Sequence, residues 1–167
     1  MALCIKEHIF SWKESYDVFD ENENLLYTVR GEVFSLGHKI HICNAKGEEV
    51  AYIHEKIWSF LKKYEIYLHG ELQGTIKEKL SFFHPRYAVD FLDCRIDGDI
   101  LGWNYQMFKK DVPMGMVQRK ILSWGNVFYL SCPNPEDELA VLALAIAIDC
   151  TDHDNEAEAM SSVYYYY

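Results

Sequence analysis

Several common kinds of chemistry have nothing to work with in this chain. The five cysteines (Cys4, Cys43, Cys94, Cys132, Cys150) include no Cys-x-x-C pair, so neither a zinc site nor a thioredoxin-like motif is written here. Four prolines exclude a Pro-rich chain. The longest uncharged apolar run, Leu139–Ile148, has ten residues, about half of what a bilayer span needs. Lys6, Glu7 and His8 interrupt the only early apolar stretch, so no export signal is read there. The cysteines are accordingly expected to be reduced, buried small apolar residues of a cytoplasmic protein. Positive charge is also short, with 16 Lys+Arg against 26 Asp+Glu and a net −10. Five of those acids (Asp149, Asp152, Asp154, Glu156, Glu158) follow residue 148 without a cation, which leaves 16 against 21, or −5, for residues 1–148. A body of that sign repels phosphate backbones, and no nucleic-acid partner is expected.

What the chain does have is apolar and aromatic mass, 50% and 15% of its 167 residues, enough for one compact domain over residues 1–150. It also has an internal repeat. An apolar residue, Ser, then an aromatic or Leu recurs as Phe10-Ser11-Trp12, Phe34-Ser35-Leu36, Trp58-Ser59-Phe60, Leu80-Ser81-Phe82 and Leu122-Ser123-Trp124. Successive serines are 24, 24, 22 and 42 residues apart, and Leu101-Gly102-Trp103 falls at the middle of the double step. Period-two alternation follows each triplet, as in Ile40 and Ile42 or Tyr64, Ile66 and Leu68, the mark of a strand with one buried face. Turn-forming residues come next: Asp20–Asn24, Asn44–Gly47, His69-Gly70, Asp97-Gly98 and Lys109–Pro113. The pattern predicts six β-hairpins, hence twelve antiparallel strands, and a closed barrel that leaves no exposed edge.

After the last strand the period changes. Asn134-Pro135 followed by three acids reads as a helix start, with Asn as N-cap and Pro at the first helical position. From Leu139 to Ile148 the helix is apolar on every side, so it must be buried on every side. Six large aliphatics left in water would cost on the order of 10 kcal/mol. Its length, about 22 Å at 1.5 Å per residue, falls short of a ~30 Å hydrocarbon core. A twelve-stranded barrel, by contrast, is too wide to be filled by its own side chains alone. The expectation is a closed twelve-stranded barrel around a central helix at 135–149. Residues 151–167 are expected to form an acidic, flexible tail ending in Tyr164–Tyr167.

Ile9–Lys13, Gly31–Gly37, Tyr64–Tyr67 and the apolar Leu144–Cys150 segment together resemble bacterial LURP-one-related proteins of the tubby C-terminal-like superfamily, relatives of the phospholipid scramblases. The resemblance covers residues 1–150 and implies the same closed barrel around a hydrophobic helix. It implies no known enzyme activity. Within the superfamily, tubby domains bind phosphoinositide headgroups, scramblases move lipids with calcium, and plant members are linked to defence.

Binding an anionic headgroup requires converging cations. Lys62 and Lys63 follow one triplet, Lys77 and Lys79 share one strand face, and Arg119 and Lys120 stand at the equivalent position of another unit. If those hairpins are neighbours, the six form a basic patch; otherwise they are solvated charges interleaved with Glu65, Glu71 and Glu78. Asp149, Asp152, Asp154 and Glu156 offer oxygen ligands but lack the glycine turn of a calcium loop, and His38, His41, His54, His69 and His84 form no metal constellation. None of the repeated serines has a nucleophile setting; a shared structural task, capping a turn or bulge with the hydroxyl, fits them. No catalytic residue, metal or cofactor is assigned. The expected function is a non-enzymatic binding or scaffold domain for an anionic lipid headgroup, a small ligand or a protein. The alternative is a membrane-associated, scramblase-like protein anchored by its apolar helix.

Overall fold

Period-two alternation places Ile40 and Ile42, Ala51 and Ile53, Tyr64 and Ile66, Tyr105 and Met107, and Phe128 and Leu130 on buried strand faces. A computed structural model describes residues 2–6, 16–32, 37–79, 86–100, 102–122 and 125–163. The first strands are β1 (Ala2–Lys6), β2 (Tyr16–Phe19), β3 (Leu25–Gly31), β4 (Lys39–Asn44), β5 (Glu49–Glu55) and β6 (Lys63–Leu68). Then come β7 (Glu71–Lys79), β8 (Arg86–Phe91), β9 (Cys94–Asp99), β10 (Asn104–Lys109), β11 (Val112–Leu122) and β12 (Gly125–Ser131). A 3-10 turn at Pro135–Asp137 leads into α1 (Glu138–Val163).

The ladders run β8-β7-β6-β5-β4-β3-β2-β1-β12-β11-β10-β9, and every pairing in them is antiparallel. Two blocks stand out, seven strands from β2 to β8 and four from β9 to β12. Strand β1 is the seam: it pairs with β12 from Ala2↔Ser131 to Lys6↔Val127, but with β2 only at Cys4↔Phe19 and Ile5↔Val18. Thus β12 finds its partner in the N-terminal strand rather than in a sixth hairpin.

The closed barrel is not what the ladders form. Strands β8 and β9 are joined by a two-residue turn, Leu92-Asp93, with φ of 50° and 54°, yet no ladder connects them among the described residues. The composition of β9 accounts for this. Arg95, Asp97 and Asp99 are exposed and Gly98 is a poor strand former, which is how an edge strand is made. The turn expected at Asp97-Gly98 is therefore misplaced, since both residues lie within β9. Gly98 is small for another reason: a Cβ there would come within 2.7 Å of the Asn104 carbonyl oxygen and 2.9 Å of Tyr105 Cα on β10.

Connections in an antiparallel sheet alternate between its two ends. Turns of two to five residues follow β2, β4, β6, β8 and β10 at one end; at the other, β1, β3, β5 and β7 are followed by six to nine residues, β9 by four and β11 by two. The described triplet, Trp58-Ser59-Phe60, lies at that second end. The triplets at 10–12, 34–36, 80–82 and 122–124 lie wholly or partly outside the described residues, as does residue 101. In the fully described triplet, the Ser59 backbone N–H closes the turn onto Lys56 O at 3.2 Å, and its hydroxyl has no described hydrogen bond. The capping role expected of that hydroxyl is not observed.

Helix α1 contacts β5, β6 and β7 of the larger block and β11 and β12 of the smaller. Every residue from Ala140 to Thr151 is buried, most of them completely. Near the tight-turn end, Tyr27 OH donates to Glu138 Oε1 at 3.0 Å; near the other, Tyr64 OH donates to Cys150 O at 3.5 Å. Asn134 caps nothing with its side chain; its carbonyl accepts the Asp137 N–H at 3.1 Å instead. The helix also runs on to Val163, past the expected end at 149, because no Pro or Gly interrupts Thr151–Val163 and Glu, Ala and Met sustain a helix. Residues 164–167, with the terminal tyrosines, lie outside the described set.

Packing against the helix is close at Gly115, where a Cβ would fall 2.6 and 2.9 Å from the Val141 methyls and 3.3 Å from Ser131 O. Gly115→Ala should therefore destabilise the fold by about 1–3 kcal/mol through overpacking, and by less when combined with Val141→Ala. Urea denaturation of the single and double variants measures this; equal cost in both backgrounds would contradict it. Tyr105 is a different case, fully enclosed with a hydroxyl that has no hydrogen-bond partner among the described residues. Tyr105→Phe removes that stranded group and should raise stability by about 1 kcal/mol. A lowered denaturation midpoint would refute it.

Candidate functional site

The strand register divides the six candidate cations. Tyr64, Ile66 and Ile76 are fully buried, so Lys63 and Lys77 project from the opposite face of β6 and β7, where they stand directly opposite each other. Like charges in that position oppose sheet formation. Neither is ion-paired with an acid among the described residues. Lys62 sits just before β6, its carbonyl accepting the Glu78 N–H at 2.9 Å. Lys79 continues the same face of β7, opposite Arg86. Lys56 joins the group from the end of β5: its N–H bonds Lys63 O at 2.8 Å, while its ammonium lies 3.5 Å from Glu65 Oε1.

Arg119 and Lys120 are elsewhere. They lie on β11, which pairs with β10 and β12, whereas β6 and β7 belong to the other block. The single six-cation patch is not assembled, because the repeat units that carry these residues are not strand neighbours. Lys120 Nζ sits 4.6 Å from the centre of the Tyr129 ring. With Asp99, Gly102, Asn104 and Gln118, the pair lines an open pocket of about 440 Å³. Asp99 accepts the Gly102 N–H at 2.9 Å and brings an acid into that pocket, which opposes anion binding there.

Beside the β6–β7 lysines is a feature that sequence reasoning missed. In the β5–β6 connection, Trp58 is 96% exposed, Phe60 94% and Ile57 44%. The repeat pattern alone gives the triplet only a structural task. The available signal was the order of residues, Ile57-Trp58-Ser59-Phe60-Leu61 bracketed by Lys56 and Lys62-Lys63, with no strand alternation to bury the rings. Beneath this loop is a pocket of about 420 Å³ lined by His54, Glu55, Lys56, Ile57, Trp58, Ser59 and Lys63.

Two histidines, His38 and His41, are held by carboxylates. His38 Nδ1 lies 3.1 Å from both Glu55 Oε2 and Tyr64 OH. His41 on β4 is gripped from both sides, Nδ1 by Glu49 and Nε2 by Glu32 at 3.1 Å, and Lys39 also pairs with Glu32 at 3.1 Å. Tyr52 packs its ring 5.0 Å from His41 and 5.9 Å from His54 and Tyr67. Among the described residues, no group of three or more His, Cys, Asp or Glu side chains is arranged to hold a metal. Asp149 is buried, and the side chains of Asp152, Asp154 and Glu156 lie outside the described set. Cys94, Cys132 and Cys150 are buried free thiols and Cys43 is half-buried. Burial and the nearby Glu138 charge push the Cys132 thiol up to about 12, which makes it a poor nucleophile.

For His41, burial is the largest single influence and lowers its pKa, but hydrogen bonds and charges from Glu49 and Glu32 together carry it above the ordinary value. Its contribution to stability is full below the ordinary histidine pKa and is lost as pH rises through the raised folded value. Denaturation midpoints between about pH 5 and pH 9 should fall with rising pH, and His41→Gln should flatten that slope. A slope that survives the substitution would assign it to other groups.

The helix is also unsuited to anchoring. No described helix is long and apolar enough to cross a membrane, and the apolar residues of α1 are covered by strands. Comparison with known proteins agrees with the architecture. The LURP-one-related family profile matches residues 1–149. The uncharacterized protein YxjI of Bacillus subtilis (strain 168) is 30% identical over 160 residues, spanning 96% of this chain and 99% of its own. An Arabidopsis thaliana protein solved by X-ray crystallography superposes with a TM-score of 0.60 at 19% identity, over 89% of each chain.

Proposed function

Since the chain belongs to the LURP-one-related family, we propose that it acts without catalysis, as a binding or scaffold domain that recognises an anionic group at Lys62, Lys63, Lys77 and Lys79. The observation that carries the reading is the unneutralised Lys63–Lys77 pair, two like charges held face to face in a ladder on a chain of net −10. A sheet tolerates that repulsion more easily when an anion sits between the ammonium groups. A phosphate or phosphorylated headgroup supplies enough oxygens to be shared by two or three lysines. In this reading the two sheet blocks packed on the helix hold the lysines in place, and the acidic segment beyond residue 150 plays no part in the site. Arg119 and Lys120 form a separate and weaker cationic spot.

Titration calorimetry with a soluble inositol trisphosphate tests the site. Lys63→Gln with Lys77→Gln should weaken binding by about tenfold or more, while Arg119→Gln with Lys120→Gln should change it by less than about threefold. Equal affinity in all three proteins, or no measurable binding by any, would overturn the assignment.

A further inference from the structure

We propose that the β5–β6 connection is a membrane-docking wedge, which seats Trp58 and Phe60 in the interfacial layer of a bilayer containing anionic lipid. The inference rests on the headgroup reading of the adjoining lysines and extends it from a binding spot to an oriented contact with a lipid surface. Its first support is exposure: at 96% and 94%, these rings are as accessible as in an unfolded chain. Aromatic side chains usually bury about 150–250 Å² each, so two adjacent ones left bare form a surface awaiting a cover.

The second support is presentation. The Lys56 N–H bond to Lys63 O at 2.8 Å closes the base of the loop, and the Ser59 N–H bond to Lys56 O at 3.2 Å turns its tip. Strands β5 and β6 hold that base in register from Ala51↔Leu68 to Glu55↔Tyr64. The rings therefore project from a fixed platform, and docking does not have to order the loop first.

The third support is the chemistry around the tip. Lys56, Lys62 and Lys63 bracket the apolar residues in sequence, and Lys77 stands opposite Lys63. Trp at the level of the headgroups, with lysines whose stems lie along apolar surface and whose ammonium groups reach phosphates, is the arrangement of an interfacial anchor. Charge complementarity thus selects an anionic bilayer. A protein partner would have to supply a cup for two protruding rings, whereas a lipid surface accepts them without a matching shape.

Flotation of the full-length protein with phosphatidylcholine vesicles, with and without phosphatidylserine, tests the wedge. Binding is expected to the mixed vesicles and should weaken by at least about tenfold in the Trp58→Ala, Phe60→Ala double variant. Both residues are exposed, so the variant should keep the parent's denaturation midpoint. Brominated acyl chains should quench tryptophan fluorescence in the parent, while Trp58→Phe should still bind but lose most of that quenching. Failure of the parent to float, or undiminished binding by the double variant, overturns the wedge. So does quenching that survives Trp58→Phe. The two readings fail separately. Inositol trisphosphate binding without flotation leaves the headgroup site and removes the wedge. Flotation with Trp58 quenching that is insensitive to Lys63→Gln and Lys77→Gln leaves the wedge and removes the headgroup site.

Discussion

The structure is organised around a helix that cannot be exposed on any side. From Ala140 to Ile148 there is no polar residue and no polar face, and all nine residues are buried. A helix of this kind needs apolar neighbours in every direction, which a single flat layer cannot supply. Strands from both blocks answer that need, β5, β6 and β7 from one and β11 and β12 from the other. The short strands with one apolar face are equally dependent on the helix, since Ile53, Tyr64, Ile66, Ile76 and Val117 are fully buried on it or on its neighbours. At Gly115 this mutual packing is tight enough to leave no room for a methyl group.

That arrangement decides where recognition can occur. The interior is taken up by α1 and the side chains around it, so ligands are left with the outer faces and the ends of the sheet. The end bearing the longer connections holds Trp58 and Phe60, together with Lys56, Lys62 and Lys63. The tight-turn end is mixed, with acids at Asp20, Glu21, Glu23, Glu48 and Glu71 and lysines at Lys46, Lys109 and Lys110. A chain of net −10 still presents a locally basic and apolar surface where Lys56, Lys62 and Lys63 flank Trp58 and Phe60. The His41 cluster lies on an outer face and is bound up in its own ion pairs, which suits it to modulating stability rather than to taking a ligand.

Much of the fold was legible in the residues. The Trp58-Ser59-Phe60 triplet marked a connection, the alternation of Ile40 with Ile42 or Tyr105 with Met107 marked the strands, and the apolar run after Leu139 marked the helix. Closure was less legible. An Asp-Gly pair signals a turn, but at Asp97-Gly98 the glycine instead allows β10 to approach, and the turn formed at Leu92-Asp93, where Asp93 favours a turn but Leu92 takes a φ of 50° that its side chain disfavours. The helix continues past 149 because a run free of Pro and Gly stays helical without an apolar face, a continuation that loss of apolar periodicity hides. The cation patch failed for a topological reason: units alike in sequence need not be adjacent in a sheet, and Arg119-Lys120 is strands away from Lys63.

Sequence alone determined the strands and the buried helix, because those follow from the period of apolar residues along the chain, a property local to each segment. Tertiary structure alone decided that Lys63 faces Lys77, that Arg119 and Lys120 stand apart from them, and that Trp58 and Phe60 are bare. These depend on strand register and on which neighbours exist to cover a side chain. A tryptophan in the sequence carries the same apolar surface whether it ends in a core or at a tip; only the packing around it settles which.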